Sequence, residues 1–241
     1  LKNNSKIRLR DSKNIFFHKN DYKYFAPKFS NKDNKKILFL GDSHSKDLFN
    51  VFYSQKEYFN NYEFSRYGFN LIDIENNRLN HLLNSELFEL SDYIVLSQRY
   101  KSKDLLLINN LIDIVSSKNK KLIVVLKKPE FKKNNKKNQT FLDIYYKKNK
   151  KATVDELNAI AYRNLNLDNF VKINKSIKKE FSEKVKLMDI YSLVCNDTKE
   201  RCHVVNEKLE KNFYDYGHFT LSGSEFFGKK IIRSNKYKQL F

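Results

Sequence analysis

Three side chains in this sequence have the types and spacing for nucleophilic chemistry. Ser43 follows directly on an apolar run in "KILFLGDSHS" (36–45), and Asp215 and His218 stand three residues apart in "NFYDYGHFTLSG" (212–223). A carboxylate so close to a histidine can accept a hydrogen bond from one ring nitrogen and leave the other to take a proton from a hydroxyl. Ser43 has the hydroxyl, so the set could attack an ester carbonyl and carry the acyl group. Each piece alone also has a plain structural use: a serine between strand and helix is a common N-cap, and a D-x-x-H segment can be polar loop. The chemistry therefore depends on whether folding brings position 43 to position 218.

The elements that would have to do this are legible as strand-length runs. They are "KILFLG" (36–41), "YEFSRYGF" (62–69), "DYIVLSQR" (92–99), "KLIVVLK" (121–127) and "VKLMDIYSLV" (185–194). Consecutive apolar positions in the first, third and fourth suit strands covered on both faces. Helical stretches lie between them. "SKDLFNVFYS" follows the first strand, "NNRLNHLLNSELFEL" precedes the third, and "KDLLLINNLIDIVSSK" separates the third from the fourth. "VDELNAIAYRNL" and "DNFVKINKSIKKEFSEK" come before the fifth, and a last helix starts near Leu221. Phe170, Ile173, Ile177 and Phe181 recur at helical spacing and read as core. This alternation predicts an α/β fold, a three-layer α/β/α sandwich with a mostly parallel sheet. Functional groups in such sheets collect beyond the carboxyl ends of the strands. Ser43 would sit there, at the amino end of a helix where backbone N–H groups favour negative charge.

Size and composition agree with one sizeable domain. The chain has 241 residues, 40% of them hydrophobic, with 20 Phe and 15 Tyr to fill a core. Residues 1–34 read as a polar, basic lead-in that packs on the domain, and 35–241 as the domain itself. Lys+Arg 47 against Asp+Glu 28 gives a net charge of +19. The lysines are scattered and no nucleic-acid motif accompanies them, so a compositional bias is preferred to nucleic-acid binding. "KKPEFKKNNKKNQTF" (127–141) reads as a solvated loop. No stretch reaches the length of a membrane span, no signal peptide is present, and the chain starts at Leu1 without Met, which suggests a piece of something longer. Cys195 and Cys202 are seven apart. They read as a local disulfide closing a hairpin-like loop in an oxidising compartment, with two free thiols as the alternative. Of the other histidines, His18, His44, His81 and His203 form no metal-ligand pair, although His44 could line a pocket beside Ser43.

"LFLGDSHS" and "DYGHFTLSG" resemble the first and last conserved blocks of the SGNH/GDSL hydrolase superfamily. More narrowly, the chain is similar to the SGNH domain fused behind the membrane part of acyltransferase family 3 proteins. There too a cysteine-bounded loop precedes the D-x-x-H block, and the third strand ends in an Arg-aromatic pair as in "DYIVLSQRY" (92–100). The resemblance spans roughly residues 35–232. It implies a flavodoxin-like sandwich with Ser43 as nucleophile, His218 as general base and Asp215 orienting the imidazole. The oxyanion hole would use the N–H of Ser43 and of Gly68 in "SRYGFN" (65–70). The family's third-block Asn is absent, so Ser97, Gln98 or Arg99 would replace it, with Gln98 preferred, or backbone groups alone would serve. The implied activity is O-acetyl transfer onto a surface polysaccharide or lipopolysaccharide, with esterase or a non-catalytic glycan-binding module as alternatives. No cofactor is implied in the domain itself. Acetyl would come from acetyl-CoA through an N-terminal membrane domain that tethers the protein on the periplasmic side.

Overall fold

Four apolar residues in succession, Ile37 to Leu40, can be buried only if layers cover the strand from above and below, and all four are 0% exposed. In the computed structural model, which describes residues 28–30, 33–132 and 140–240, they lie in β1 (Lys35–Gly41). The lead-in expected over 1–34 falls largely outside the described residues, as do His18 and residues 133–139. Along the chain β1 is followed by α1 (Ser43–Tyr53), β2 (Tyr62–Gly68), a 3-10 turn (Leu71–Glu75), α2 (Arg78–Leu83), α3 (Glu86–Leu90) and β3 (Tyr93–Leu96). Then come α4 (Asp104–Ser117), β4 (Lys121–Val125), α5 (Phe141–Lys148), α6 (Val154–Arg163), α7 (Leu167–Phe181) and β5 (Lys186–Met188). The chain closes with α8 (Tyr191–Val194), the hairpin strands β6 (Cys195–Asn196) and β7 (Arg201–Cys202), α9 (Leu221–Ile232) and α10 (Asn235–Lys238).

The five long-range strands pair in the order β2-β1-β3-β4-β5, every neighbouring pair parallel. This is the flavodoxin-like order, whose direction switches between β1 and β3. Alternate residues of β1 serve different cores. Ile37 and Phe39 pack with Phe49, Phe52, Leu157, Phe227 and Ile231 from α1, α6 and α9. Leu38 and Leu40 pack with Leu82, Phe88, Ile108, Leu111 and Ile177 from α2, α3, α4 and α7. The stripe read from Phe170 to Phe181 is buried, as expected of core.

Two elements are shorter than the sequence suggested. The fifth apolar run gives a strand only over Lys186–Met188, because Asp189 accepts the N–H of Tyr191 (3.0 Å) and starts α8. The stretch 76–90 breaks at Asn84, where Ser85 caps a new helix by accepting the N–H of Phe88 at 3.2 Å. A capping box at Thr140 and Asp143 also starts α5, which the apolar pattern did not suggest.

Cys195 and Cys202 face each other across β6 and β7 and form a disulfide. Both are buried against α6, whose Asn158 side chain accepts the N–H groups of Val204 (2.9 Å) and Val205 (3.1 Å). The carbonyl of Val204 in turn accepts the N–H of Asn212 at 2.8 Å, so the cross-linked hairpin anchors the segment that leads to Asp215. Replacing both cysteines by serine is expected to cost roughly 2–3 kcal/mol, the value for closing so short a loop. Urea unfolding under non-reducing conditions checks this, and an unchanged midpoint would contradict it.

Candidate active site

The turn after β1 depends on a residue without a side chain. Gly41 has φ +135°, and a Cβ there would lie 1.9 Å from the carbonyl oxygen of Ser97, just beyond β3. Asp42 follows as the N-cap of α1: Oδ1 accepts the N–H of His44 (2.8 Å) and Oδ2 accepts the N–H of Arg99 (3.1 Å). Arg66 on β2 holds the same turn from the other side. Its guanidinium donates to the carbonyls of Gly41 (3.3 Å) and Asp42 (2.9 Å) and to Ser45 Oγ (2.9 Å). Ser43 is thereby fixed as the first residue of α1, where backbone N–H groups have no intrahelical acceptor.

The opposite half is a loop folded on itself. Tyr214 donates its N–H to the carbonyl of His218 (3.0 Å), and Thr220 donates its own to Asn212 (3.0 Å). Thr220 also caps α9 by accepting the N–H of Gly223 at 2.8 Å. Inside the loop, Asp215 Oδ1 accepts the N–H groups of Gly217 (2.9 Å) and His218 (2.8 Å), and Oδ2 lies 2.8 Å from His218 Nδ1. Nδ1 therefore carries its proton toward the carboxylate, and Nε2, 2.7 Å from Ser43 Oγ, is left to accept. Burial alone would raise the Asp215 carboxyl. The hydrogen bond and charge of His218, with the Gly217 and His218 N–H groups, outweigh it and hold the group below its ordinary value. The structure thus brings together the three residues singled out from sequence.

A family model for SGNH domains fused to AT3 domains matches residues 11–233. The chain belongs to this family. No curated protein matches the sequence. Among solved structures, the periplasmic domain of a lipopolysaccharide acetyltransferase from Salmonella ser. Paratyphi A has a TM-score of 0.61 at 18% identity, covering 84% of each chain. A GDSL-like lipase from Bacteroides thetaiotaomicron has a TM-score of 0.43 at 11% identity, covering 89% of this chain and 93% of that one.

Behind the triad, the SGNH domain builds a second layer that the sequence did not announce. Glu130 is 3% exposed. Its Oε2 accepts from the Arg99 guanidinium at 3.0 Å, and its Oε1 lies 2.9 Å from Arg99 Nε. Arg99 also donates to Tyr216 Oη (3.2 Å), and its guanidinium lies 5.3 Å from the centre of that ring. The N–H of Phe131 bonds the carbonyl of Tyr216 at 2.7 Å, so the 127–131 stretch supports the Asp215–His218 loop from below. The reading of this stretch as solvated loop is corrected here: Lys127, Lys128, Glu130 and Phe131 are all buried. Lys128 forms an ion pair with Asp47 of α1, with its ammonium 4.5 Å from the Phe219 ring centre.

His44 does line this layer. Its ring meets that of His218 edge-on at 5.5 Å, and Nε2 is 3.7 Å from Glu130 Oε1. Burial, and then the charges of Lys128, His218, Arg99 and Lys127, push it well below its ordinary value and keep it neutral. Of the oxyanion candidates, Gly68 ends β2 level with Gly41 and so reaches the edge where Ser43 lies. Gln98 is placed differently. Its amide nitrogen donates to Asp104 Oδ2 (3.2 Å) and its oxygen accepts the N–H of Leu71 (3.0 Å), so the side chain braces the 3-10 turn against α4.

The depressed Asp215 carboxyl sets a pH dependence. A group whose pKa falls on folding stabilises the fold above its unfolded value, near 3.8, and loses that contribution as pH drops through the lower folded value. The stability gap between the parent and Asp215→Asn is therefore expected to be full at neutral pH and to shrink below about pH 4. Urea midpoints across that range check the sign.

Proposed function

We propose that the domain is an O-acetyltransferase in which Ser43 carries the acetyl group and delivers it to a hydroxyl of a cell-surface glycan. The observation that carries this reading is the unbroken chain from Ser43 Oγ to His218 Nε2 (2.7 Å) and from Nδ1 to Asp215 (2.8 Å). Transfer rather than hydrolysis is supported by the fusion of this family to AT3 domains. The likeness to a protein named as a lipopolysaccharide acetyltransferase periplasmic domain agrees.

The chemistry runs in two symmetrical halves. Ser43 Oγ attacks the acetyl carbonyl of the donor as its proton passes to His218 Nε2. The tetrahedral oxyanion is held by the N–H groups of Ser43 and Gly68. The carbon–oxygen bond to the donor then breaks, the leaving group takes the proton from His218, and acetyl-Ser43 remains. A glycan hydroxyl next gives its proton to His218 and attacks the same carbonyl. Ser43 departs and recovers the proton. Asp215 keeps Nδ1–H fixed and stabilises the imidazolium in both halves.

The domain needs no cofactor of its own in this scheme. Acetyl starts on cytoplasmic acetyl-CoA and is brought across by a preceding membrane domain, which holds this one on the periplasmic side. The acceptor is a surface polysaccharide or lipopolysaccharide.

Incubation with an activated acetyl ester, followed by intact-mass measurement, tests the nucleophile. The parent should gain one acetyl group, Ser43→Ala none, and Asp215→Asn should acetylate about 10⁴-fold more slowly. Equal labelling of Ser43→Ala would remove Ser43 from its role. Labelled parent that releases acetate equally fast with and without glycan would make the domain an esterase instead.

A further inference from the structure

Two cations at the carboxyl edge of the sheet are left unused by this mechanism. β3 and β4 run in parallel with Leu96 opposite Val124, and Arg99 and Lys127 each lie three residues beyond that pair, near enough for their charges to interact. Lys127 is held there by a dedicated clamp from α7. Asn174 Oδ1 accepts its N–H at 2.7 Å, and Asn174 Nδ2 donates to its carbonyl at 2.9 Å.

Lys127 is only 3% exposed, yet its ammonium has no hydrogen bond or ion pair among the described residues. Burial lowers its pKa; Glu130 opposes that shift and Arg99 adds to it.

Glu130 is already paired with Arg99, and the neighbouring Lys128 is matched by Asp47. Glu130 faces both Arg99 and Lys127, while the nearby Asp42 carboxylate is taken up by the N–H groups of His44 and Arg99. The Arg99 side chain is 40% exposed. Of its five N–H groups, Glu130 engages the Nε flank and Tyr216 one hydrogen of Nη1, which leaves donors on the outer edge of the fork. A buried ammonium near a pre-oriented guanidinium costs stability until an anion arrives, and a planar carboxylate fits that fork.

We propose that Arg99 and Lys127 form a subsite for one carboxylate of the acceptor, so that the glycan acetylated is one containing a sugar acid. This rests on the reading of Ser43 as the residue that hands acetyl to a glycan. Tyr216 links Arg99 to the triad, its ring centre 5.9 Å from that of His218, so a carboxylate on this fork holds its sugar beside Ser43. The excess of 19 positive charges draws in a polyanionic chain, and the subsite selects the acid within it.

The test is binding, measured on Ser43→Ala so that turnover plays no part. The probes are a glucuronate-containing tetrasaccharide, the same tetrasaccharide with its carboxyls reduced to alcohols, and glucose 1-phosphate, all titrated by NMR at one ionic strength. The acid should bind about tenfold or more tightly than the reduced sugar, and adding Lys127→Met should bring the two level. Equal binding of acid and reduced sugar, a preference that survives Lys127→Met, or tighter binding of the sugar phosphate would each overturn the proposal. Lys127→Met deletes a charge without a partner, so its urea midpoint should hold or rise. A fall would mark the lysine as structural and overturn the proposal too. Acetyl labelling of the parent stands or falls separately, so failure of the Ser43 reading is distinguishable from failure of the subsite.

Discussion

The proposed chemistry hangs on one hydrogen bond, between Ser43 Oγ and His218 Nε2 at 2.7 Å. Neither residue belongs to the other's element, so the bond is only as good as the alignment of two turns. One is built from Gly41, Asp42 and Arg66 at the end of β1, the other from Asp215 to Thr220 before α9. A misplacement of an ångström between them would cost orders of magnitude in rate. The surrounding polar contacts can be understood as what prevents it. Arg99 bonds Asp42 with its backbone and Glu130 and Tyr216 with its side chain, and thus ties the serine turn to the histidine loop directly.

That alignment is obtained at the expense of burying charge. Glu130, Lys128 and Asp47 are each 4% exposed or less. Buried pairs of this kind seldom add net stability over an apolar core, because the desolvation cost of both ions offsets their attraction. What they do supply is direction. A methyl group can slide past its neighbour, whereas a carboxylate gripped by a guanidinium has one good geometry. Buried neutral His44 fits the same scheme: it fills the space behind His218 without adding a competing charge.

How much of this was readable from residues alone varies with the range of the interaction. Consecutive apolar residues in β1, β3 and β4, and the strand–helix alternation, are local signals, and they led to the correct parallel sandwich. Ser43, Asp215 and His218 were found because their types are chemically unusual at those places. Glu130 and Lys127 were not, since a charged residue in a lysine-rich stretch looks solvated until the fold places Asp47, Arg99 and Asn174 around it. Gln98 shows the converse. Its position at a strand end invited a functional reading, but the 3-10 turn at Leu71 and the carboxylate of Asp104 take up its amide. The early end of β5 turned on Asp189, a single side chain that accepts the N–H of Tyr191 and turns the chain into α8, and no hydrophobic pattern encodes that.

The serine and the histidine are 175 residues apart in the chain. While the polypeptide emerges from the ribosome, the hydroxyl of Ser43 is therefore made well before the imidazole that will bond it. Any product cut short before position 218 lacks the hydrogen-bond partner of Ser43, however well its sheet has formed. Translation through position 218 is thus a precondition for joining the two halves of the site.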